Sequence, residues 1–156
     1  MDKNLLLEAM KASISEVLET MFFMPVDFGP TDEKSAESIA TINPVAARLE
    51  FSGSEKGCFH LQVPEALARN ISADFMGIDP TRLTRDDVTG TVNEMINMLA
   101  GNTLSHYDPT VAFDLSVPEK VPAEKQPPER TGASAMVRLH IQTLDNRMLL
   151  AVTFRE

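Results

Sequence analysis

Two pairs of segments with alternating apolar and polar residues constrain the fold of this chain more than any other feature. The first pair, 45–51 and 59–63, places apolar side chains at every second position on either side of a Ser-Gly-Ser-Glu turn. The second pair, 137–141 and 148–154, does the same around an Asp-Asn turn. This alternation is typical of strands with one packed and one solvent-facing side, and short polar turns join antiparallel neighbours. The sequence therefore predicts two hairpins of an antiparallel sheet.

Apolar residues at helical spacing predict helices that cover the packed side of this sheet. The first helix runs from about Asn4 to Phe23 and is ended by Pro25. The second has Pro64 in its first turn and stops at Gly77. The apolar residues that these two helices turn inward are Met10, Ile14, Val17, Leu18, Met21, Leu67, Ala68, Ile71 and Phe75.

A third helix is predicted to begin after Thr84 and to run to about Leu104. Thr84 is a favourable N-cap, and Asp87 three residues later completes a carboxylate variant of the capping box. The predicted fold class is therefore α+β, an antiparallel sheet with two long helices and one short helix packed on one face. The 156 residues suit a single domain that spans residues 1–156.

Three further segments have weaker signals. Residues 29–37 are polar and irregular, and apolar residues alternate with polar ones over 111–117, which predicts one more strand. The stretch from Pro118 to Thr131 contains four prolines and six charged residues. We expect that stretch to be a loop or an extended arm outside the core.

The composition excludes several classes of function. A net charge of −9 with scattered basic residues argues against a nucleic-acid partner, which requires a clustered positive field. No apolar run approaches the roughly 20 residues that span a bilayer, so we expect no membrane segment and a cytoplasmic protein. Cys58 is the only cysteine, which rules out an intrachain disulfide. His60, His106 and His140 fall in three different elements without ligand-like spacing, so no metal site is predicted.

The third helix has two different faces. At about 100° per residue, its apolar positions fall into one sector, and a second sector on the opposite side combines polar and small residues. Gly90 and Gly101 each cost about 1 kcal/mol relative to alanine in a helix interior, which favours a face that another backbone approaches closely. Gly101 has a simpler alternative, because it can help to end the helix. The core sector contains Val88, Val92, Met95, Ile96 and Leu99, and the opposite sector contains Asp87, Gly90, Glu94, Asn97, Met98 and Gly101.

Glu94 and Asn97 are the candidate functional pair of this outward sector. Residues three apart on a helix are neighbours at its surface, and asparagine is a poor helix former. By spacing alone the pair is either a site or an incidental polar surface. Asp86 and Asp87 are interpreted as first-turn carboxylates that favour the helix N-terminus, in preference to a metal pair.

The segment 92–102 resembles the signature helix of the CheX/CheC phosphatases of bacterial chemotaxis. The family pattern is an acidic residue or serine, three spacers, Glu, two spacers, Asn and then Gly-Asn, and residues 17–21 of the first helix and the order of elements are also similar. Glu94 and Asn97 match the pattern. Gly90 stands at its first position, so a side chain that the family uses is absent.

The resemblance implies a CheC-like fold and the dephosphorylation of the aspartyl phosphate of a CheY-like response regulator. Asn97 would orient the attacking water, and Glu94 would pair with the regulator's lysine. Residues expected to contact the partner are Gly90, Met98, Gly101 and Asn102. The resemblance implies no cofactor of the chain's own, since the regulator supplies Mg²⁺.

The resemblance also bears on site number and assembly. Aligning the first helix with the third places Glu19 on Glu94 but Phe22 on Asn97, which resembles the single-site, CheX-like condition. A homodimer through sheet edges is expected, and the arm from Pro118 to Pro128 is a candidate for carrying a strand across to the partner.

Two alternatives remain open. One alternative to the phosphatase is a non-catalytic adaptor of the same fold, which binds a response regulator or flagellar-switch-like protein without hydrolysing it. The other is a stand-alone ligand-binding or structural domain, in which the Glu94/Asn97 face would be incidental. The absence of a side chain at Gly90 keeps the adaptor open.

Overall fold

A computed structural model describes residues 1–29, 44–122 and 134–155 of the chain. Its helices are α1 (Lys3–Met21), α2 (Glu65–Met76) and α3 (Arg85–Tyr107), with one 3-10 turn at Pro80–Arg82. Its strands are β1 (Asp27–Phe28), β2 (Pro44–Ser52), β3 (Gly57–Pro64), β4 (Asp114–Leu115), β5 (Glu119–Val121), β6 (Ser134–Gln142) and β7 (Arg147–Arg155). No helix among these residues is long and apolar enough to cross a membrane.

The strands form an antiparallel sheet in the order β1-β6-β7-β3-β2-β4, with β5 also paired to β2. Both predicted hairpins are present. In β2 and β3, Leu49 lies opposite Phe59, and in β6 and β7, Leu139 lies opposite Leu150. These apolar positions are buried, whereas Arg138 and other residues between them face outward. The predicted α+β class is confirmed, with the three helices on the buried face.

The first helix differs from its prediction at the C-terminal end. Asp2 caps it by accepting hydrogen bonds from the backbone N–H groups of Asn4 and Leu5. The helix ends at Met21, and Phe23 has a φ of 51°, in the left-handed region. A helix cannot continue through that conformation, so the predicted end at Phe23 was two residues too late. The predicted inward position of Met21 was also wrong, since this last residue of the helix is 47% exposed.

Helix α2 begins after Pro64 and stops where the sequence predicts. Gly77 has a φ of +66°, and its N–H donates to the carbonyl oxygen of Ala73. The predicted inward position of Phe75 was wrong in part, because its side chain is 43% exposed. One side of its ring nevertheless packs on Phe22, with the ring centroids 5.2 Å apart.

Helix α3 begins with the predicted capping box. The Thr84 hydroxyl oxygen accepts from the Asp87 N–H at 3.1 Å, and the Asp87 carboxylate accepts from the Thr84 N–H at 2.9 Å. The capping interpretation of Asp87 is therefore confirmed. The helix extends to Tyr107, beyond the predicted end at Leu104.

The predicted strand over 111–117 was wrong in extent, since only Asp114 and Leu115 form β4. Its first residues belong to a turn after α3, in which the Val111 N–H donates to the Asp108 carbonyl oxygen. Its last apolar residue, Val117, is 81% exposed. The alternation was real, but only part of the segment has a neighbouring strand to pair with.

The Pro-rich stretch from Pro118 was predicted to be a loop or an extended arm. Three of its residues form the short strand β5, which pairs with Ala46–Arg48 of β2 and corrects the loop interpretation there. Residues 123–131 lie outside the described residues, as do residues 30–37 of the segment that was predicted to be irregular.

Helix α1 runs antiparallel to α3. The N–H of Asp2 donates to the hydroxyl of Tyr107 at 2.9 Å, so the start of α1 lies at the end of α3. Further along, the buried hydroxyl of Ser13 donates to the Leu99 carbonyl oxygen at 3.1 Å. The C-terminal part of α1 therefore lies beside the N-terminal half of α3.

Candidate functional site

The two predicted sectors of α3 are confirmed by burial. The five apolar residues of the core sector are all buried. In the opposite sector, Gly90 and Glu94 are exposed, and Asn97, Met98 and Gly101 are half-buried. The outward face of α3 is therefore a real surface of the protein, lined by the residues of the candidate pair.

Glu94 and Asn97 have no partner within the described part of the chain. No hydrogen bond or ion pair engages either side chain there. The carboxylate of Glu94 and the amide of Asn97 are thus available to a molecule that approaches this face. Their spacing of three residues places them side by side at the surface.

The glycines of this face are not required by packing inside the chain. A Cβ atom added at Gly90 would meet nothing within 4 Å in the described part of the chain. One added at Gly101 would lie 3.7 Å from Cδ1 of Leu115, which is an ordinary van der Waals distance. Since alanine would fit at both positions, the preference for glycine has no internal structural reason.

Two other residues predicted to contact a partner also have contacts within the chain. Met98 packs against the hydrophobic core, so only part of its side chain is accessible. Asn102 is half-buried, and its amide nitrogen donates to a carboxylate oxygen of Glu16 in α1 at 3.3 Å. Asn102 therefore links two helices.

Glu16 was not identified as a special residue from the sequence. The carboxylate oxygen that accepts from Asn102 also lies 3.0 Å from Nε2 of His106, one turn further along α3. The pKa of the Glu16 carboxyl is lowered, first by the hydrogen bond with His106 and then by that with Asn102. This cluster of Glu16, Asn102 and His106 ties the exposed flanks of α1 and α3 together.

The position of α1 that matches Asn97 cannot serve as a second site. Glu19 is exposed, as Glu94 is, but Phe22 is only 9% exposed and its ring packs on Phe75. A buried aromatic ring has no polar group to offer a ligand. Among the described residues, one Glu-x-x-Asn pair, Glu94 and Asn97, therefore lies on an accessible helix face.

The histidines and the cysteine considered from the sequence do not lie near Glu94 and Asn97 on α3. Within the described ranges, no three His, Cys, Asp or Glu side chains come together as a metal site. Cys58 is half-buried in β3, and burial raises the pKa of its thiol. His60 lies on the outward face of the same strand, and burial lowers its pKa to about 4. None of these groups belongs to the outward face of α3.

Comparison with known proteins identifies a family to which this sequence is similar. The sequence model of the family described as chemotaxis phosphatase CheX matches residues 45–142, which include all of α3. A search of curated proteins found no match.

Several solved structures share the fold at low sequence identity. CheX from Vibrio vulnificus superposes with a TM-score of 0.76 at 19% identity, covering 96% of both chains. The CheX–CheY–BeF3–Mg+2 complex from Borrelia burgdorferi gives a TM-score of 0.75 at 19% identity, covering 97% of this chain and 98% of the other. FliY from Thermotoga maritima gives a TM-score of 0.62 at 15% identity, covering 98% and 89%.

The family match covers well over half of the chain and includes the helix on which Glu94 and Asn97 lie. The resemblance noted from the sequence is thereby confirmed, and the chain belongs to the CheX family of chemotaxis phosphatases.

Proposed function

We propose that this chain hydrolyses the aspartyl phosphate of a CheY-like response regulator in the cytoplasm, with Glu94 and Asn97 as the residues that act on it. The principal support is that both side chains lie on an exposed helix face without a partner in the described chain. Family membership and the CheX–CheY complex of a structural relative support the choice of partner.

Asn97 is proposed to hold the attacking water. Phosphoryl transfer to water is mainly a problem of positioning and charge stabilisation, and the water must lie in line with the leaving aspartate oxygen. An amide can both accept and donate hydrogen bonds, and it carries no charge that would repel the phosphoryl oxygens. A carboxylate at the same place would face the phosphoryl group as a like charge.

Glu94 is proposed to pair with a lysine of the regulator's active site. A carboxylate–ammonium contact that is desolvated in a complex fixes the orientation of the partners more reliably than it adds affinity. Because Glu94 and Asn97 are neighbours on one helix face, such a contact would place the amide beside the phosphoryl group.

The rest of the catalytic apparatus is assigned to the regulator. It would supply the phosphoaspartate and the Mg²⁺ ion, so that the active site is complete only in the complex. Gly90 and Gly101 would let the regulator's backbone come close to α3, while Met98 would contribute apolar contact. Asn102 would contact the partner only at the edge, since its amide is engaged by Glu16.

The second candidate function is a non-catalytic adaptor that binds the regulator without hydrolysing its phosphate. Gly90 favours it, because the family's Asp or Ser at this position is missing and the space for a side chain is open. If the adaptor role is correct, wild-type protein binds the regulator without accelerating decay. Gly90→Asp would then be expected to introduce measurable acceleration.

A homodimer through sheet edges is proposed as well. Residues 135–139 of β6 have no neighbouring strand on the side away from β7 among the described residues, and β1 with the following Gly29 covers only His140–Gln142. An open edge offers backbone N–H and C=O groups to a second strand. Sedimentation at micromolar concentration should give twice the monomer mass, and a monomer mass would contradict the dimer.

The decisive experiment measures the decay of a phosphorylated, Mg²⁺-bound response regulator from the same organism. Wild-type protein should accelerate the decay, and Asn97→Ala should reduce the acceleration at saturation by about a hundredfold or more, since the water loses its positioning group. Asn70→Ala, an exposed asparagine on α2, is the matched control and should be fully active.

The control and a binding measurement separate the hypotheses. Asn97→Ala should still bind a regulator loaded with beryllium fluoride, because the substitution removes little contact area. Equal activity of Asn97→Ala and wild type would contradict the assignment of Asn97. Binding by wild type without any acceleration would favour the adaptor.

A further inference from the structure

Exposed apolar side chains gather at the C-terminal ends of α1 and α2. Phe23 is 86% exposed, and Met21, Phe75 and Met76 are each more than 40% exposed. Met21 and Phe23 adjoin Phe22 in the chain, and Met76 adjoins Phe75, so the Phe22–Phe75 ring contact brings these residues to one place, here called the apolar cluster. Exposed apolar side chains that gather in this way often mark an interaction site.

Phe23 is held in a conformation that its side chain disfavours. Its φ of 51° makes it the only described residue other than glycine with a positive φ. This position after a helix is usually glycine, because a Cβ atom crowds the backbone there. A large aromatic residue is instead present and is turned to solvent, which points to a use of the ring outside the fold.

The cluster adjoins the outward face of α3. Because α1 runs antiparallel to α3, its C-terminal end lies beside the N-terminal half of α3, where Gly90 and Glu94 are exposed. Helix α2 packs on α3 as well and meets α1 through the Phe22–Phe75 contact. The cluster therefore continues the surface on which the regulator is proposed to dock.

The apolar cluster and the outward face of α3 differ in chemistry, and the cluster supplies apolar area that the polar face of α3 does not. The outward face of α3 has a carboxylate, an amide and two glycines, and the partly buried Met98 is its apolar side chain. Binding energy in protein interfaces is concentrated in a few buried anchors, and aromatic side chains are prominent among them. We propose that the cluster of Met21, Phe23, Phe75 and Met76 is the apolar anchor for the receiver domain of the response regulator. This inference rests on the function proposed above.

Phe23→Gly tests the anchor without weakening the fold. Glycine accepts a φ of 51° freely, so the variant should unfold at the temperature of the wild type or higher. The concentration of phosphorylated, Mg²⁺-bound receiver that gives half-maximal decay rate should rise about tenfold, because an aromatic anchor is lost. The rate at saturation should remain that of the wild type, since Glu94 and Asn97 are intact.

Two further variants complete the design. Met76→Gln removes a second member of the cluster with a good helix former, and it should raise the half-maximal concentration by a smaller factor. Leu144→Gly removes an exposed apolar residue from the turn between β6 and β7, and it should change neither quantity. Asn97→Ala should show the reverse pattern, losing the rate at saturation and keeping the half-maximal concentration.

These patterns separate this inference from the proposed function. If wild type accelerates decay and Phe23→Gly has an unchanged half-maximal concentration, the anchor is wrong while the function stands. If wild type only binds the beryllium-fluoride-loaded receiver, weaker binding of Phe23→Gly still supports the anchor. Conversion of a dimer to a monomer by Phe23→Gly, with receiver binding unchanged, would assign the cluster to a second copy and overturn the proposal.

Discussion

Helices α1 and α3 lie side by side on the same sheet, yet they use matching positions in opposite ways. Glu94 and Asn97 of α3 are an accessible carboxylate and amide, whereas the matching positions of α1 are an exposed Glu19 and a buried Phe22. The difference follows from what lies next to each helix. Helix α2 reaches the end of α1, and the Phe22 ring fills the space against Phe75.

The comparison indicates what a helix needs in order to present a site. The outward face of α3 contains Gly90, Asn97 and Gly101, all poor helix formers. The helix is nevertheless maintained by its capping box and by an inner face that is mostly apolar, with Thr91 and Thr103 as its buried polar residues. Helix α1 has no glycine within its bounds. The outward face of α3 therefore contains residues that lower its local helix propensity.

The largest expected effect comes from replacing Phe22, the position that matches Asn97, with an asparagine. Phe22→Asn should lower the free energy of unfolding by about 3 kcal/mol or more, because a large buried ring is lost and a polar group is buried in its place. It should add no phosphatase activity, since the new amide would point into the contact with α2. Urea denaturation and the regulator decay assay measure the two effects.

Phe22→Leu is the control for the loss of the ring alone. It should cost less than Phe22→Asn, because the buried position stays apolar. A stable Phe22→Asn protein with an extra increment of activity would contradict the distinction between the two helices. It would show that α1 retains a usable second site.

The sequence predicted the positions of these helices better than their contacts. The two hairpins, the capping box at Thr84 and the outward position of Glu94 each depend on residues close together in the chain, and all were predicted correctly. The strand over 111–117 was overpredicted, because alternation does not indicate whether a partner strand is available. The link between Glu16 and Asn102 could not be predicted. These residues are 86 positions apart in the chain, and their contact depends on how α1 packs against α3.

A second test compares small residues on the outward faces of the two helices. Gly90→Ala on α3 should raise the free energy of unfolding by about 1 kcal/mol, because alanine is the better helix former and the space is open. It should also weaken regulator binding severalfold, since a methyl group would stand where the partner's backbone approaches. Thermal unfolding and binding to a beryllium-fluoride-loaded regulator measure the two effects.

Ala12→Gly provides the reciprocal change on α1, where Ala12 is exposed. It should lower the free energy of unfolding by about 1 kcal/mol and leave regulator binding unchanged. If Gly90→Ala binds the regulator as tightly as wild type, close approach at Gly90 is wrong. Gly90 would then represent only the loss of the family's side chain.

The smallest expected effect concerns the contact that holds the two helices together. Glu16→Gln removes the carboxylate that accepts from Asn102 and His106, so its melting temperature should fall slightly near neutral pH. The folded-state pKa of Glu16 lies below its ordinary value of 4.5. The carboxylate therefore stabilises the fold above pH 4.5, and this contribution is lost as the pH falls through the folded-state pKa.

The pH dependence distinguishes this contact from a general effect of charge. The difference in melting temperature between wild type and Glu16→Gln should be largest above pH 4.5 and should disappear at lower pH, where Glu16 is protonated in both states. Glu19→Gln removes an exposed carboxylate from the same helix without removing such a contact, so it should show no comparable pH-dependent difference. Equal behaviour of the two variants would mean that the link between Glu16, Asn102 and His106 adds no stability. The pairing of α1 with α3 would then depend on apolar packing and on the Ser13–Leu99 and Asp2–Tyr107 hydrogen bonds.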